Sequence, residues 1–424
     1  MRFLHGFSLT AGSQALVFSL GLLNQSLLGR FLPAEEFGRL FYWSNTVLFG
    51  AMLLGEWASR GATYVVGREG TRAPVVGNAL AYSALLGLGV ACLALAARWP
   101  GLAELLGGEI FLVGCLVALS TMQRTGLGVL LGEERLRAYA AVPLVATAVY
   151  LGGSGLLVQA GRCTLENVLA VWGLAIGTSV AAAYGLLVHS CGRLPAPSSG
   201  VFGRTARIGA RGAISFILIF LLFRSNVWLI KALLGEAPLA TYKAASAIGE
   251  MMQRLPNIAG AVLLAKVVRG RDEQGRLSLA VGQATLLFSV AVAAGILLLG
   301  RPLLALAFPL YPEALAPLAW MLPGLVCAGF GSVFNTKLSG EGFPPITLWA
   351  PLVALALNLV LNVLLIRSHG LSGAALATSI ALAVWAALVT AAYLRVAGHR
   401  WRDLLRFGEL GATAWRRLGA QRAH

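Results

Sequence analysis

Arg224 follows an unbroken apolar run from Phe216 to Phe223. Counted from Arg211 at the rise of a helix, it stands about 20 Å inside that run. A guanidinium at such depth in hydrocarbon costs at least about 2.5 kcal/mol. Arg224 must therefore either line a wet cavity or pair with a carboxylate. Arg124, beside Gln123, and Arg254, beside Gln253, are the other arginines within apolar stretches, and Arg60 lies at the inner end of its own stretch. The carboxylates at comparable depth are Glu56 and Glu250, because the only aspartates, Asp272 and Asp403, fall outside the apolar runs. Glu56 and Arg60, like Glu250 and Arg254, are one helical turn apart and can pair locally. That pairing leaves Arg224 and Arg124 without a local partner, so the interior carries a positive surplus. Such a surplus suits an anion, and phosphate above all, since the guanidinium fork binds it bidentately. Asn45, Asn226 and Asn257 add amides at span depth. They read equally as contacts for sugar hydroxyls and as glue between helices. Glu56 and Glu250 are also the candidate carriers if a proton or sodium gradient drives the protein.

The rest of the chemistry-bearing inventory points away from catalysis. His5, His189, His369, His399 and His424 sit in loops or at termini. The five cysteines, Cys92, Cys115, Cys163, Cys191 and Cys327, are scattered and show no metal-ligand spacing; they read as small packing residues. No enzyme, metal or cofactor is expected.

The elements that must position the arginines are apolar runs of about twenty residues, the length that crosses a bilayer core about 30 Å thick. The chain is 58% hydrophobic and only 12% charged. The spans are read as 8–32, 38–62, 74–97, 107–132, 135–159, 164–190, 208–234, 238–267, 277–299, 312–338, 344–367 and 371–396. The fold class is an all-α integral membrane protein of about twelve transmembrane helices. The first run is taken as a span, not a cleaved signal, because no small-residue cleavage site leads into a soluble domain. The formal charge of +16 is a loop property and not a nucleic-acid footprint. With the N-terminus inside, Arg60, Arg68, Arg72, Arg135, Arg137, Arg204, Arg207, Arg211, Lys266, Arg269 and Arg271 collect on the inner side with the tail from Arg395 to Arg422. The outer side keeps Arg30, Arg39, Arg98, Arg162, Lys231, Lys243, Arg301 and Arg367. The positive-inside rule then places both termini in the cytoplasm.

The polar break from Cys191 to Arg207, with its prolines and serines, divides the spans six and six. The domains read as 1–190 and 208–396, two six-helix lobes, with a linker at 191–207 and a basic tail at 397–424. The tail alternates Trp401, Leu404, Phe407 and Trp415 with arginines and suits an interfacial helix on anionic lipid. An internal repeat supports the division. Gly132-Glu133 followed by Pro143-Leu144-Val145-Ala146 recurs 208 residues later as Gly340-Glu341 and Pro351-Leu352-Val353-Ala354. Even-numbered halves of this kind are related by an axis along the membrane normal, with the site expected between them. The Gly-Glu-x-x-x-Arg runs at Glu56 and Glu250 do not keep that offset and are not counted as part of the repeat. Pro143, Pro256, Pro323 and Pro351 fall within spans, where proline permits kinks.

Two stretches carry a family resemblance. Leu28-Gly29-Arg30-Phe31-Leu32-Pro33-Ala34-Glu35-Glu36-Phe37-Gly38-Arg39-Leu40 resembles the first helix turn of bacterial polysaccharide-biosynthesis membrane proteins. Asn358-x-x-x-Asn362-x-x-Leu365-Ile366 with Gly370-Leu371-Ser372-Gly373-Ala374-Ala375-Leu376-Ala377-Thr378 resembles their last helix pair; Tyr311-Pro312-Glu313-Ala314 and Tyr242-Lys243-Ala244-Ala245 also fit. The group is the Wzx-type oligosaccharide-lipid flippases of the multidrug/oligosaccharidyl-lipid/polysaccharide exporter superfamily. The resemblance implies a MATE-like, V-shaped pair of lobes around a cationic cavity. It also implies a cargo of undecaprenyl-pyrophosphate-linked oligosaccharide, moved by alternating access across the bacterial cytoplasmic (inner) membrane. Membrane lipids and polysaccharide polymerase or assembly proteins are the partners it suggests. The site residues are not carried by the resemblance; Arg224, Arg124, Arg254, Arg60, Asn226, Asn45 and Asn257 rest on depth and charge alone. A multidrug cation antiporter of the same superfamily would favour buried acids for organic cations and coupling ions; the surplus of buried Arg and the absence of intramembrane Asp argue against it. A lipid II flippase is associated with two further helices. A polymerase or ligase enzyme would carry a large outer loop with catalytic Arg or His.

Overall fold

The computed structural model describes residues 2–96, 108–192, 194–254, 275–341 and 344–406 continuously, with scattered positions between 255 and 274. The helices are α1 Arg2–Phe31, α2 Ala34–Glu69, α3 Ala73–Ala96, α4 Gly108–Gly132, α5 Leu136–Gln159, α6 Leu165–Cys191, α7 Ser199–Leu234, α8 Glu236–Gly249, α9 Arg276–Ala307, α10 Leu315–Gly340 and α11 Ile346–Ala397. Short 3₁₀ turns follow α8 at Glu250–Gln253, precede α10 at Pro312–Ala314 and follow α11 at Trp401–Leu405. Among the described residues there is no strand. In hydrocarbon every backbone N–H and C=O must be satisfied within the segment, which leaves helix as the available form for these apolar runs. Eight of the described helices are long and apolar enough to cross a membrane.

The chain is a multi-pass membrane protein, and its helices follow the apolar runs closely with two informative departures. α11 covers 52 residues, which would be about 78 Å of continuous helix, far longer than a bilayer core. It breaks at Gly370, whose φ of 57° and ψ of −135° suit glycine and strain any residue with a Cβ. The runs read as 344–367 and 371–396 are therefore two helices that meet at Gly370, as the apolar runs indicate. The run read as one span at 238–267 instead changes winding. α8 ends at Gly249, gives way to a 3₁₀ turn at Glu250–Gln253, and is helical again at Arg254, Pro256 and Asn257.

The chain divides into two compact units between Ile217 and Leu218, inside α7. Because α7 begins at Ser199, the polar break is helical from Ser199 to Arg207, about half its length. In the first unit the core is the cluster of Ala62, Val65, Val66, Val75, Val76, Val129, Leu130, Val142, Ala183 and Leu187. Glycines let its helices approach at backbone distance. A Cβ on Gly128 of α4 would stand 2.4 Å from the Ser59 carbonyl oxygen, and one on Gly61 of α2 would stand 2.1 Å from that of Thr205. Small residues at such crossings are how membrane helices gain dispersion contact without a hydrophobic drive between them. The second unit repeats the device where α10 meets α11: a Cβ on Gly324 would stand 2.3 Å from Ser379 Cα. Large apolar side chains remain exposed, Leu156 at 67% and Leu298 at 82% among them, as lipid-facing residues should be.

The internal repeat marks equivalent places. Gly132 closes α4 and Gly340 closes α10, while Pro143 lies in α5 and Pro351 in α11. In the second unit the start of the tail docks: Gln283 of α9 donates to the Asp403 and Leu404 carbonyls at 3.0 and 3.2 Å. The interfacial helix expected from the tail composition lies, from residue 407 on, outside the described residues.

Candidate functional site

The intramembrane charges gather in two clusters, one in each unit. In the first, α2 presents Glu56 and, one turn on, Arg60, and α4 presents Arg124. Arg60 Nε donates to Glu56 Oε1 at 2.7 Å and Arg124 Nη1 donates to Glu56 Oε2 at 2.7 Å. The carboxylate is nearly covered, its side chain 9% exposed, while the two guanidiniums are about 30% exposed. The close approach of α2 and α4 at Gly128, and at Gly55 against Thr121, brings Arg124 within reach. The Arg60 guanidinium lies 3.4 Å over the Phe216 ring, and the missing side chain of Gly212 leaves room for its stem. Cation–π contact and two charge-assisted hydrogen bonds thus fix the cluster. Tyr139 of α5 is near enough for the three charges to act on it. Trp57, Tyr82 and Phe202 line a small neighbouring pocket.

In the second unit, Arg224 of α7 donates from Nη2 to Glu250 Oε1 at 2.8 Å. The two side chains remain 23% and 28% exposed. Arg224 therefore has a carboxylate partner, as one of the two sequence readings required, and Glu250 is not left to Arg254 alone. Arg254 and Lys243 are both close enough for their charges to act on Glu250. Lys243, placed from sequence within the span 238–267 and counted with the outer-side charges, lies inside α8 and is only 9% exposed. The signal for it was present. Lys243 and Glu250 are seven residues apart, two helical turns, and so share a face.

Asn226 and Asn358 behave as glue between helices, and Asn45 and Asn257 do not. Asn226 hydrogen-bonds the Tyr242 hydroxyl and donates to Thr378 Oγ1 at 3.1 Å. Asn45 is 1% exposed and donates to the Phe41 carbonyl of its own helix at 2.8 Å. Asn257 is exposed. Asn358 ties α11 to α7 through the Leu222 carbonyl and Ser225 Oγ at 3.1 and 3.2 Å, and Asn362 donates to Asn358 Oδ1 at 2.7 Å. The Asn-x-x-x-Asn motif of the resemblance is thus a structural knot. Tyr139 and Phe216 were not singled out from sequence, since a tyrosine and a phenylalanine in apolar runs give no signal of the charge they sit beside.

Two further ionic groups are structural. Glu109 holds Arg39 and the Trp43 indole at 2.9 and 2.8 Å. Asp272 receives the backbone N–H groups of Leu277 and Ser278 at the start of α9, and Lys337 of α10 hydrogen-bonds its carbonyl. The cysteines are all free, and Cys92 is exposed. Among the described residues no group of His, Cys, Asp and Glu is arranged to hold a metal ion.

No family model matches the chain. In sequence it is similar to the probable low-salt glycan biosynthesis flippase Agl15 of Haloferax volcanii, 22% identical over 378 residues, covering 87% of this chain and 79% of that protein. Among solved structures it resembles the lipid II flippase MurJ in an inward closed conformation, with a TM-score of 0.74 at 15% identity over 94% of this chain and 89% of that one. It also resembles an inward-facing multidrug resistance MATE family transporter of the MOP superfamily, with a TM-score of 0.72 at 15% identity over 90% and 94%. A third likeness is to a MOP superfamily transporter from Pyrococcus furiosus described as having a binding pocket of reverse polarity, with a TM-score of 0.64 at 15% identity. These proteins are flippases and transporters, not enzymes. The chain has the fold of the multidrug/oligosaccharidyl-lipid/polysaccharide exporter superfamily, and its sequence likeness is to a flippase of glycan biosynthesis.

Proposed function

We propose that the protein is a flippase for a glycan linked to lipid through phosphate, an undecaprenyl-pyrophosphate-linked repeat unit for surface polysaccharide. It would act in the cytoplasmic membrane with both termini inside, the arrangement that the basic loops favour. The observation that carries this reading is the charge balance of the two clusters. Glu56 meets two arginines, and Glu250 meets Arg224 within range of Lys243 and Arg254. Cations exceed carboxylates at both, so an arriving anion finds compensating charge, with guanidinium forks suited to phosphate. An organic cation, the cargo of a multidrug antiporter, would have to take a carboxylate from arginine.

The arginines of each cluster, Arg60 and Arg124 in one unit and Arg224 and Arg254 in the other, hold phosphate on the cytoplasmic side and release it when the helices rearrange toward the far side. The lipid tail stays in the bilayer throughout. A proton or sodium ion entering at Glu56 or Glu250 would also compete with arginine, so gradient coupling acts by loosening these pairs. Polymerase or assembly proteins receive the unit afterwards.

The test is made in cells lacking the gene, supplied with wild type or Arg224→Ala. The reading predicts that the lipid-linked repeat accumulates and surface polymer is lost without the gene, and that only wild type restores both pools. Unchanged pools in the deletion strain overturn it.

A further inference from the structure

The first-unit cluster is asymmetric in a way that restricts its ligand. Glu56 engages one of the five N–H donors of each guanidinium. Among the described residues, the other nitrogens of Arg60 and Arg124 make no hydrogen bond, and both side chains are partly exposed while the carboxylate is not. The donors are open and the compensating charge is sealed in behind them. Two guanidiniums against one carboxylate leave one positive charge. Phe216 holds Arg60 from one side, and the α2–α4 contact at Gly128 holds Arg124, so neither arginine needs to leave Glu56 for an anion to dock.

We infer that the Glu56–Arg60–Arg124 cluster is a seat metered for a single negative charge, taking one phosphodiester group and disfavouring a phosphomonoester. This rests on the flippase reading and deepens it. A phosphate linking lipid to sugar carries one charge; a pyrophosphate bridge esterified at both ends carries two, but one on each phosphorus, so a single phosphoryl group of the bridge fills the seat and the other lies outside it. A terminal monoester carries nearly two above its second ionisation near pH 6. In a partly desolvated site the second charge would stay uncompensated, which is costly. Glu56 is then the specificity-determining residue. It separates lipid already loaded with sugar from bare lipid phosphate, so the reaction preceding this protein must be a glycosyl-phosphate or glycosyl transfer onto that lipid.

The experiment uses the full chain in lipid nanodiscs at pH 8, with binding of a short-chain prenyl phosphoglucose, the corresponding prenyl monophosphate, and inorganic phosphate measured separately. Wild type is expected to bind the diester at least as tightly as the monoester, and inorganic phosphate more weakly than either. Glu56→Gln, with the carboxylate charge removed, shifts the ratio at least tenfold toward the monoester. Glu56→Asp, with the charge kept, holds the wild-type ratio. The double variant Glu56→Gln/Arg124→Gln, again with one positive charge, returns toward it. An unchanged ratio in Glu56→Gln, or an equal shift in Glu56→Asp, overturns the metering while leaving the flippase reading intact. Failure of wild type to bind either prenyl ligand overturns both.

Discussion

The string Gly-Glu-x-x-x-Arg occurs at Gly55–Arg60 and again at Gly249–Arg254, and the two copies do different things. In the first unit α2 continues as α-helix through Glu56. Residues four apart are then rotated by only about 40°, and Arg60 closes on Glu56 at 2.7 Å. In the second unit the winding tightens to a 3₁₀ turn at Glu250–Gln253. Four residues of 3₁₀ winding rotate the side chain by about 120°, so the spacing of the first copy is not reproduced, and Glu250 is bridged across helices by Arg224 of α7 at 2.8 Å with the charges of Lys243 and Arg254 also acting on it. The shared Gly-Glu-x-x-x-Arg pattern gives a nearly covered carboxylate held by two arginines in one place and a more exposed carboxylate bridged to a second helix in the other. Partner choice is decided by helix winding and helix contacts, not by the motif.

The sharpest way to break this comparison is to remove the cross-helix arginine from each cluster. Arg124→Ala and Arg224→Ala are both expected to lower lipid-linked glycan transport by about tenfold or more, the loss of one charge-assisted bond to phosphate being roughly 1.5–3 kcal/mol. Both proteins remain folded, because each carboxylate keeps another cation nearby. If only one variant loses transport, the clusters do not share the work.

Next in size is Gly128→Val. Its side chain cannot fit against Ser59, so α2 and α4 must separate, at roughly 1–3 kcal/mol of stability. Arg124 is withdrawn from Glu56 and transport falls with it. Thermal unfolding in detergent and the transport assay together check this; normal behaviour in both would show that the close crossing does not position the site. Gly324→Ala in the second unit should lower stability while leaving the Glu56 cluster's ligand binding unchanged.

The comparison also predicts unequal costs for losing each carboxylate. Glu56→Ala strands two guanidiniums and should lower stability by roughly 1–3 kcal/mol. Glu250→Ala removes a pair more than 20% exposed on both sides, and should cost about 0–1 kcal/mol. Melting curves of the two variants decide it, and equal shifts would contradict the sealed-versus-open distinction. Asn358→Leu removes the knot to Leu222 and Ser225 for about 0.6–1.7 kcal/mol and leaves cargo binding alone.

The helices were legible because their lengths are set by the bilayer, and the apolar runs report that directly. Even the break at Gly370 falls in the short gap between two runs. The local Glu56–Arg60 pair was legible too, from spacing alone. What was not legible was which faces meet. A helix that is apolar all round carries no stripe to show its orientation. The contact of Arg124 with Glu56, 68 residues apart in sequence, depends on glycines at a crossing that composition does not locate. The 3₁₀ turn at Glu250 has no marker in Met251, Met252 or Gln253. Its anchor is Gln253, which donates to the Leu325 carbonyl of α10 at 2.8 Å, a tertiary contact. Lys243 was legible by its two-turn spacing from Glu250, but it was counted among the outer-side charges and not with that carboxylate.

The most direct test of the account is transport by the purified protein in sealed vesicles. An undecaprenyl-pyrophosphate-linked oligosaccharide is placed in one leaflet, and its appearance in the other is followed with a glycan-binding probe that does not cross the membrane. The account predicts transfer by wild type and little or none by Arg124→Ala or Arg224→Ala, all three being equally folded. Transfer by the arginine variants at the wild-type rate would contradict the claim that these guanidiniums carry the phosphate.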